Sequence, residues 1–123
     1  MEIDNYTKIL HFGSKYLGPE FEHGTFVVQE KIDGSQVSFG KLDGKLYLRS
    51  KNRMVPEDDP HMFDKAWETV RGLESDLPEG AVFRGEYLRS PKHNALQYDR
   101  VPKGHIILWE RGRHRLPQLE YVP

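Results

Sequence analysis

The residues whose types could do chemistry lie close together in Glu30–Ser35, which reads Glu-Lys-Ile-Asp-Gly-Ser. This charged stretch follows the apolar pair Val27-Val28, and charged side chains are costly to bury in a strand-like run. A lysine amine becomes a nucleophile once it loses its proton. A nearby glycine lets the backbone approach a ligand closely, because it has no side chain in the way. The stretch is therefore a candidate functional site, and a solvated surface charge is the alternative for Lys31.

Three further motifs follow along the chain. Arg49-Ser50-Lys51-Asn52 is a short basic segment, Phe83–Leu88 contains a Gly-Glu pair, and Leu108-Trp109-Glu110 ends an apolar run in an aromatic-acid pair. A polar connection, 89–104, links the last two motifs, and its sixteen residues are more than a structural loop needs. Each motif is common by itself, so their order along the chain carries the argument.

Together the four motifs resemble those of the covalent nucleotidyltransferases, which include the ATP-dependent ligases and the mRNA-capping guanylyltransferases. Lys31-Ile32-Asp33-Gly34 is similar to the nucleophile motif of that superfamily. With Arg-Gly-Glu at 84–86 and the loop residues Lys92-His93-Asn94 and Tyr98, the chain looks most like the double-strand-type subgroup of the RNA ligases. The resemblance covers roughly residues 25–111.

The resemblance implies a role for each matching residue. Lys31 would take AMP from ATP as a lysyl-AMP phosphoramide and pass it to an RNA 5′-phosphate, at a nick or a duplex end. Glu86 would bind the ribose hydroxyls or hold Mg²⁺ or Mn²⁺, and Trp109 would stack on the purine, an interaction worth about 1–3 kcal/mol. The remaining positions that would contact the nucleotide are Glu30, Asp33, Gly34 and either Arg49 or Lys51.

Each of these residues also has an ordinary structural interpretation. Asp33 could be a turn residue that bonds to local backbone, and Glu86 a surface residue of an edge strand. Trp109 could belong to the core, and the two cations of the basic segment could be solvated. The segment Arg111–Arg115 and the 89–104 loop are candidates for contacts to RNA phosphates, with a merely solvated loop as the alternative.

The chain also departs from the RNA ligases. Gln36 stands where they often carry Asn, and Glu110 stands where Asp is usual. Their Glu-Gly-x-Val and Lys-x-Lys motifs do not occur before Pro123, so we expect residues 1–123 to be a single, partial nucleotidyltransferase (adenylation) domain. Two other functions stay open: a truncated nucleotide- or RNA-binding module whose site a partner chain or a homodimer completes, and a capping-type guanylyltransferase.

Composition sets broad limits on these possibilities. The chain of 123 residues is 37% hydrophobic and 30% charged, which suits one globular domain with a real core. It has no cysteine, no leader-like N-terminus and no apolar run near the ~20 residues that span a bilayer, so we expect a cytoplasmic protein without a membrane partner. The net charge is −1, but basic blocks at 31–55 and 81–123 flank an acidic block at 56–80. The basic blocks could form a phosphate-binding face opposite a solvated acidic one, or the charge could simply fluctuate along the surface.

Hydrophobic patterning predicts the elements that position the motifs. Strands are expected at Thr25–Lys31, Gln36–Lys41, Lys45–Ser50, Ala81–Leu88, His105–Glu110 and Leu116–Val122. Asp43-Gly44 predicts a type I′ hairpin between the second and third strands. The fold class is α+β: a domain of the nucleotidyltransferase type (ATP-dependent ligase, ATP-grasp-like) with antiparallel sheets and one main helix near 60–75.

The main helix is predicted from its start signal and its apolar period. Asp59 is a fit N-cap and Pro60 a favoured first residue. The apolar residues that follow recur at helical spacing and predict one buried stripe: Phe63, Ala66, Trp67, Val70 and Leu73.

Overall fold

The structure is a computed structural model that describes residues 29–109 and 113–123. Within these ranges the chain is mixed α+β, and its strands and α-helix are β1 Ser35–Leu42, β2 Lys45–Ser50, α1 Asp64–Gly72, β3 Val82–Tyr87, β4 Ile106–Leu108 and β5 Glu120–Tyr121. Short 3-10 helices occur at His61–Phe63, Glu74–Asp76 and Lys103–His105. No helix in the described part of the chain is long and apolar enough to cross a membrane.

The described strands form one five-stranded sheet in the order β2-β1-β3-β4-β5. The expected β1–β2 hairpin is confirmed: Asp43 and Gly44 both have positive φ, 51° and 73°, as a type I′ turn requires. The carboxylate of Glu79 accepts hydrogen bonds from both turn amides, at 2.6 and 2.9 Å. The turn that the sequence predicts is thus also held by a residue from elsewhere in the chain.

The expectation of purely antiparallel sheets is wrong at one edge. β5 pairs with β4 in parallel, with Ile107 opposite Glu120, while the other three pairings are antiparallel. The predicted strand Leu116–Val122 is also shorter than expected. Leu116 and Leu119 are buried and joined by a backbone turn, with the Leu119 N–H donating to the Leu116 carbonyl at 3.1 Å. Burying both leucines in a turn leaves only two residues to pair as β5.

The predicted helix start is wrong as well. α1 begins at Asp64, after a 3-10 turn, and neither element has a side-chain cap. The cause is His61, whose left-handed φ of 50° interrupts a helix that would otherwise begin at Pro60. The carboxylate of Asp59 lies 3.3 Å from the His61 ring instead of capping the helix. The predicted apolar stripe is confirmed, since Ala66, Trp67, Val70 and Leu73 are buried and Phe63 packs against them.

Two predicted strand limits also need correction. The predicted strand Thr25–Lys31 lies partly outside the described residues, and its described part, 29–31, is not a strand. The predicted strand His105–Glu110 is observed only as Ile106–Leu108, because His105 has a left-handed φ of 65° and ends the preceding 3-10 turn. Glu110 lies outside the described residues.

Alternation along the strands gives the sheet two different faces. One face packs against α1 and holds the apolar core, whose strand residues are Val37, Phe39, Leu48, Phe83, Tyr87, Ile106 and Leu108. The rings of Phe39 and Phe83 stack there with centroids 5.6 Å apart. The register places a second set of side chains on the opposite side, which we call the polar face: Gln36, Ser38, Arg49, Arg84, Glu86, Ile107 and Glu120.

Candidate functional site

The segment 29–34 runs along the sheet and connects three of the four motifs. At its start, Nε2 of Gln29 donates a hydrogen bond of 3.0 Å to the carbonyl of Trp109. At its end, the Gly34 N–H donates to Oε2 of Glu86 at 3.2 Å. Trp109 directly follows β4, where its N–H donates to the Arg84 carbonyl at 3.0 Å. Residues more than fifty positions apart in the sequence are therefore in contact at the two ends of the segment that carries Lys31.

Glu86 lies on β3 and is partly buried. Burial raises the pKa of its carboxyl to about 7, and the negative charge of Asp33 adds to this, while the hydrogen bond from Gly34 and the positive charge of Lys31 oppose it. Near neutral pH the group is therefore divided between a neutral acid and a carboxylate. It can donate a hydrogen bond to a hydroxyl or accept one, and it can bind a cation when ionised.

Lys31 is exposed, and its charge acts on Glu86. It lies two residues before Asp33, whose carboxylate is firmly held: Oδ2 accepts hydrogen bonds from the backbone N–H groups of Leu96 at 2.7 Å and Ala95 at 2.8 Å. These bonds, led by that from Leu96, lower the pKa of Asp33, so it is ionised at neutral pH. The interpretation of Asp33 as a residue that bonds to local backbone is therefore wrong, because the amides that hold its carboxylate are more than sixty positions away.

Gly34 makes a close approach, and its neighbour is the protein itself. A Cβ at this position would lie 2.5 Å from the carbonyl oxygen of Tyr87, the last residue of β3. Only glycine therefore lets the turn lie against β3 without displacing its backbone. This packing also brings the Gly34 N–H within reach of Glu86.

The structure separates the two cations between which the sequence could not choose. Arg49 lies on the polar face opposite Ser38, and Ser38 is also opposite Arg84. Nε of Arg49 is buried and has no hydrogen-bond partner among the described residues. Lys51 follows the end of β2 and is exposed. Arg49 is thus the cation that shares a face with Glu86.

Several residues of the site were not assigned roles from the sequence. Arg84 lies two residues before Glu86 on β3, and its Nη1 donates to the Ser38 hydroxyl at 3.0 Å. His93 and Tyr98, from the long loop, contact the turn that carries Asp33. Strand alternation would have placed Arg84 on the same face as Glu86, whereas the loop contacts have no local sequence signal.

A groove of about 230 Å³ lies beside this segment. Its lining includes Glu30, Ile32, Tyr98 and Ile107, with the Arg100–Glu120 ion pair also part of its wall. Arg100 holds Glu120 by hydrogen bonds of 2.6 and 2.8 Å and lowers the pKa of that carboxyl to about 2. The groove is smaller than the ~300–1,000 Å³ typical of pockets for drug-sized ligands. Its volume suits a base or a sugar rather than a whole nucleoside triphosphate.

The donor set for a divalent metal is sparse. Among residues 29–109 and 113–123 no three His, Asp or Glu side chains cluster as a metal site. Glu86 and Asp33 influence each other electrostatically. Mg²⁺ commonly binds through one or two carboxylates plus substrate phosphates. Oδ2 of Asp33 is already bonded to two backbone amides, so Glu86 is the carboxyl that would hold such an ion.

Comparisons with known proteins add no family to this picture. No family model, curated protein or solved structure matches the chain. The case for a function therefore depends on the motifs and on the contacts that join them.

Proposed function

We propose that the chain is an RNA ligase-like adenylyltransferase of the covalent nucleotidyltransferase superfamily. The observation that supports this most is the meeting of separate motifs around Lys31: Gly34 bonds to Glu86 at 3.2 Å and Gln29 bonds to Trp109 at 3.0 Å. These contacts bring three of the four motifs together. Nucleotidyl transfer requires a nucleophile, a carboxyl and a large aromatic residue. Lys31, Glu86 and Trp109 are residues of these types within the segment 29–34 or bonded to it, and Glu30 and Ile32 of this segment line the groove.

In the proposed reaction the unprotonated Lys31 amine attacks the α-phosphorus of ATP. A nitrogen–phosphorus bond forms, the bond from phosphorus to the bridging oxygen breaks, and pyrophosphate leaves with the electron pair. The amine proton passes to solvent. In the second step the RNA 5′-phosphate displaces Lys31 and takes the AMP.

The other residues bind and orient. Trp109 stacks on the purine, and Glu86 holds the ribose hydroxyls or a metal. Arg49 and Arg84, which flank Ser38, attract the phosphates. A Mg²⁺ or Mn²⁺ ion carried by ATP and held by Glu86 would neutralise phosphate charge.

Adduct formation tests the proposal directly. The chain is incubated with α-labelled ATP and Mg²⁺ or Mn²⁺ and resolved under denaturing conditions. We expect label on the wild type, its release by acid as for a phosphoramide, and none on Lys31→Ala. Lys45→Ala, which removes an exposed lysine at the β1–β2 hairpin, is the matched control and should label like the wild type.

Two results would remove the proposal. One is equal labelling of the wild type and Lys31→Ala. The other is no labelling of either protein, even when mixed with a chain that carries Glu-Gly-x-Val and Lys-x-Lys. Labelling by GTP in preference to ATP would indicate a capping-type guanylyltransferase.

A second candidate function is nucleotide or RNA binding without transfer, in a site that a partner chain or a second copy completes. The observation in its favour is that the described residues form the groove beside Lys31 on a single sheet, with Lys31 itself exposed. Phosphoryl transfer depends on charge stabilisation around the phosphate. Saturable binding of ATP or RNA without an adduct would select this function.

A further inference from the structure

The long loop, 89–104, contacts both the backbone and the side chain of Asp33. Its Tyr98 accepts, through Oη, a hydrogen bond of 2.9 Å from the Asp33 backbone N–H. Its Ala95 and Leu96 donate backbone hydrogen bonds of 2.8 and 2.7 Å to Asp33 Oδ2. Asp33 begins the bend at 33–35 that leads into β1, which we call the turn, and it is held by three residues more than sixty positions away.

The same loop holds the other two residues of the turn. Nδ2 of Asn94 donates to the Gly34 carbonyl at 2.9 Å, and Nε2 of His93 lies 2.8 Å from the Ser35 hydroxyl. The Arg89 N–H donates to Nδ1 of His93 at 3.1 Å. Because Nδ1 is the acceptor, the proton of the neutral ring lies on Nε2, which donates to Ser35.

Hydrogen bonding rather than burial holds residues 94–96 of this loop, while the His93 ring packs edge-on against Tyr87 with centroids 5.8 Å apart. Leu96 leaves 54% of its surface exposed while its N–H points at Asp33. Asn94 and Ala95 are exposed too. A loop placed by its apolar side chains would bury Leu96, since burial is the dominant favourable term in folding. The turn is therefore the partner that the loop is built to hold.

We propose that residues 89–98 form a clamp that positions Lys31, with Tyr98 and His93 as the positioning residues. The inference depends on the proposed function, because it concerns the lysine that attacks ATP. Lys31 is exposed and lies two residues before Asp33, so the clamped turn limits where its amine can go. Small displacements of a reacting group cost large factors in rate, and a clamp on the adjacent backbone prevents them.

The test compares three loop variants with a matched control. Tyr98→Phe removes the acceptor of the Asp33 N–H, and His93→Ala removes the donor to Ser35. His93→Gln restores a donor near the position of Nε2. Gln97→Ala is the control, because among the described residues the Gln97 side chain is exposed and hydrogen-bonds to the neighbouring Tyr98 carbonyl and not to the turn.

Two readouts are taken on each protein. The first is hydrogen exchange of the Asp33 and Gly34 amides. The second is the single-turnover rate of adduct formation at saturating ATP, together with the affinity for ATP. Removing one neutral hydrogen bond corresponds to about a tenfold change. We expect exchange about tenfold faster at Asp33 in Tyr98→Phe, and adduct formation about tenfold slower with ATP affinity nearly unchanged. His93→Gln should recover part of the rate lost in His93→Ala.

The outcomes separate the clamp from the proposed function. If Tyr98→Phe and His93→Ala show the same exchange and adduct rates as Gln97→Ala, the clamp is overturned. Faster exchange with an unchanged adduct rate would show that the loop orders the turn without positioning Lys31, which also overturns the inference. A wild type that forms no adduct, even when mixed with a chain that carries Glu-Gly-x-Val and Lys-x-Lys, refutes the proposed function, and the exchange rates then decide by themselves whether the loop clamps the turn.

Discussion

The two faces of the sheet are built from the same strands and differ at alternate residues. Phe39 is fully buried against α1 and stacks on Phe83, whereas its neighbour Ser38 points to the polar face and accepts a hydrogen bond from Arg84. The core face is continuous and apolar, so burial stabilises it without directional bonds. The polar face depends on individual pairings and bears Glu86, whose partial burial raises its pKa to about 7.

The difference shows how one sheet can be stable and still carry a reactive site. Burial on the core face, against α1, contributes most of the stability. The polar face can therefore retain groups whose burial is unfavourable. Perturbed pKa values cluster at functional sites for this reason. The comparison can be tested by changing residues on each face.

The largest effect is expected on the core face. Phe39→Ala should lower the free energy of unfolding by about 3–5 kcal/mol, because it removes a fully buried ring and leaves a cavity beside Phe83. Urea denaturation followed by circular dichroism measures this. A loss below about 1 kcal/mol would show that the stacked pair is not central to the core.

Glu86→Gln, in contrast to Phe39→Ala, should raise the free energy of unfolding above neutral pH. A carboxyl whose pKa rises on folding, from 4.5 to about 7, binds more protons when folded, so the wild type loses stability as pH rises between these values. At pH 8 the variant should be more stable by about 1–2 kcal/mol, a value discounted because the group is only partly buried. At pH 4.5 the two proteins should be nearly equal.

Denaturation curves between pH 4.5 and 8 measure this difference. Glu68→Gln, which removes an exposed charge from α1, is the matched control. If Glu86→Gln and the wild type show parallel pH profiles, the carboxyl is not perturbed, and the contrast between the faces is weaker than described.

Ser38→Ala should lower the free energy of unfolding less than Phe39→Ala, the substitution at the next residue. The change removes the acceptor of the Arg84 Nη1 bond at a nearly inaccessible site but leaves the core face intact. The expected loss is about 1 kcal/mol, the net contribution of a typical hydrogen bond. Thermal unfolding beside Phe39→Ala gives the comparison within one strand. Equal losses from the two substitutions would contradict the division of roles.

Glu120→Gln is expected to have the smallest effect, at the edge of the polar face. Arg100 lowers the pKa of Glu120 from 4.5 to about 2, so the stabilising contribution of the pair is present above pH 4.5 and is lost as pH falls toward 2. The pair is exposed, and solvent screens it. Between pH 5 and 2 the free energy of unfolding should therefore fall slightly less in the variant than in the wild type. An unchanged pH dependence would show that the pair contributes nothing.

Local patterns predicted the parts of the fold that local physics decides. Asp43-Gly44 supports positive φ at both turn positions, so the β1–β2 hairpin could be predicted, and the apolar period predicted the buried stripe of α1. The start of α1 could not be predicted. It depends on the left-handed conformation of His61, whose ring lies 3.3 Å from the Asp59 carboxylate, and the pattern of N-cap, proline and apolar period does not indicate that conformation.

For the candidate site, the sequence by itself determined which residues are present: a lysine beside a glycine turn, a Gly-Glu strand and an aromatic residue after an apolar strand. Only the tertiary structure decided how they meet. The bonds that join Asp33 to Tyr98 and Gly34 to Glu86 connect distant segments, and such contacts depend on sheet register and loop path. The pKa of Glu86 depends on burial, which is a property of the whole packed chain and of no single motif.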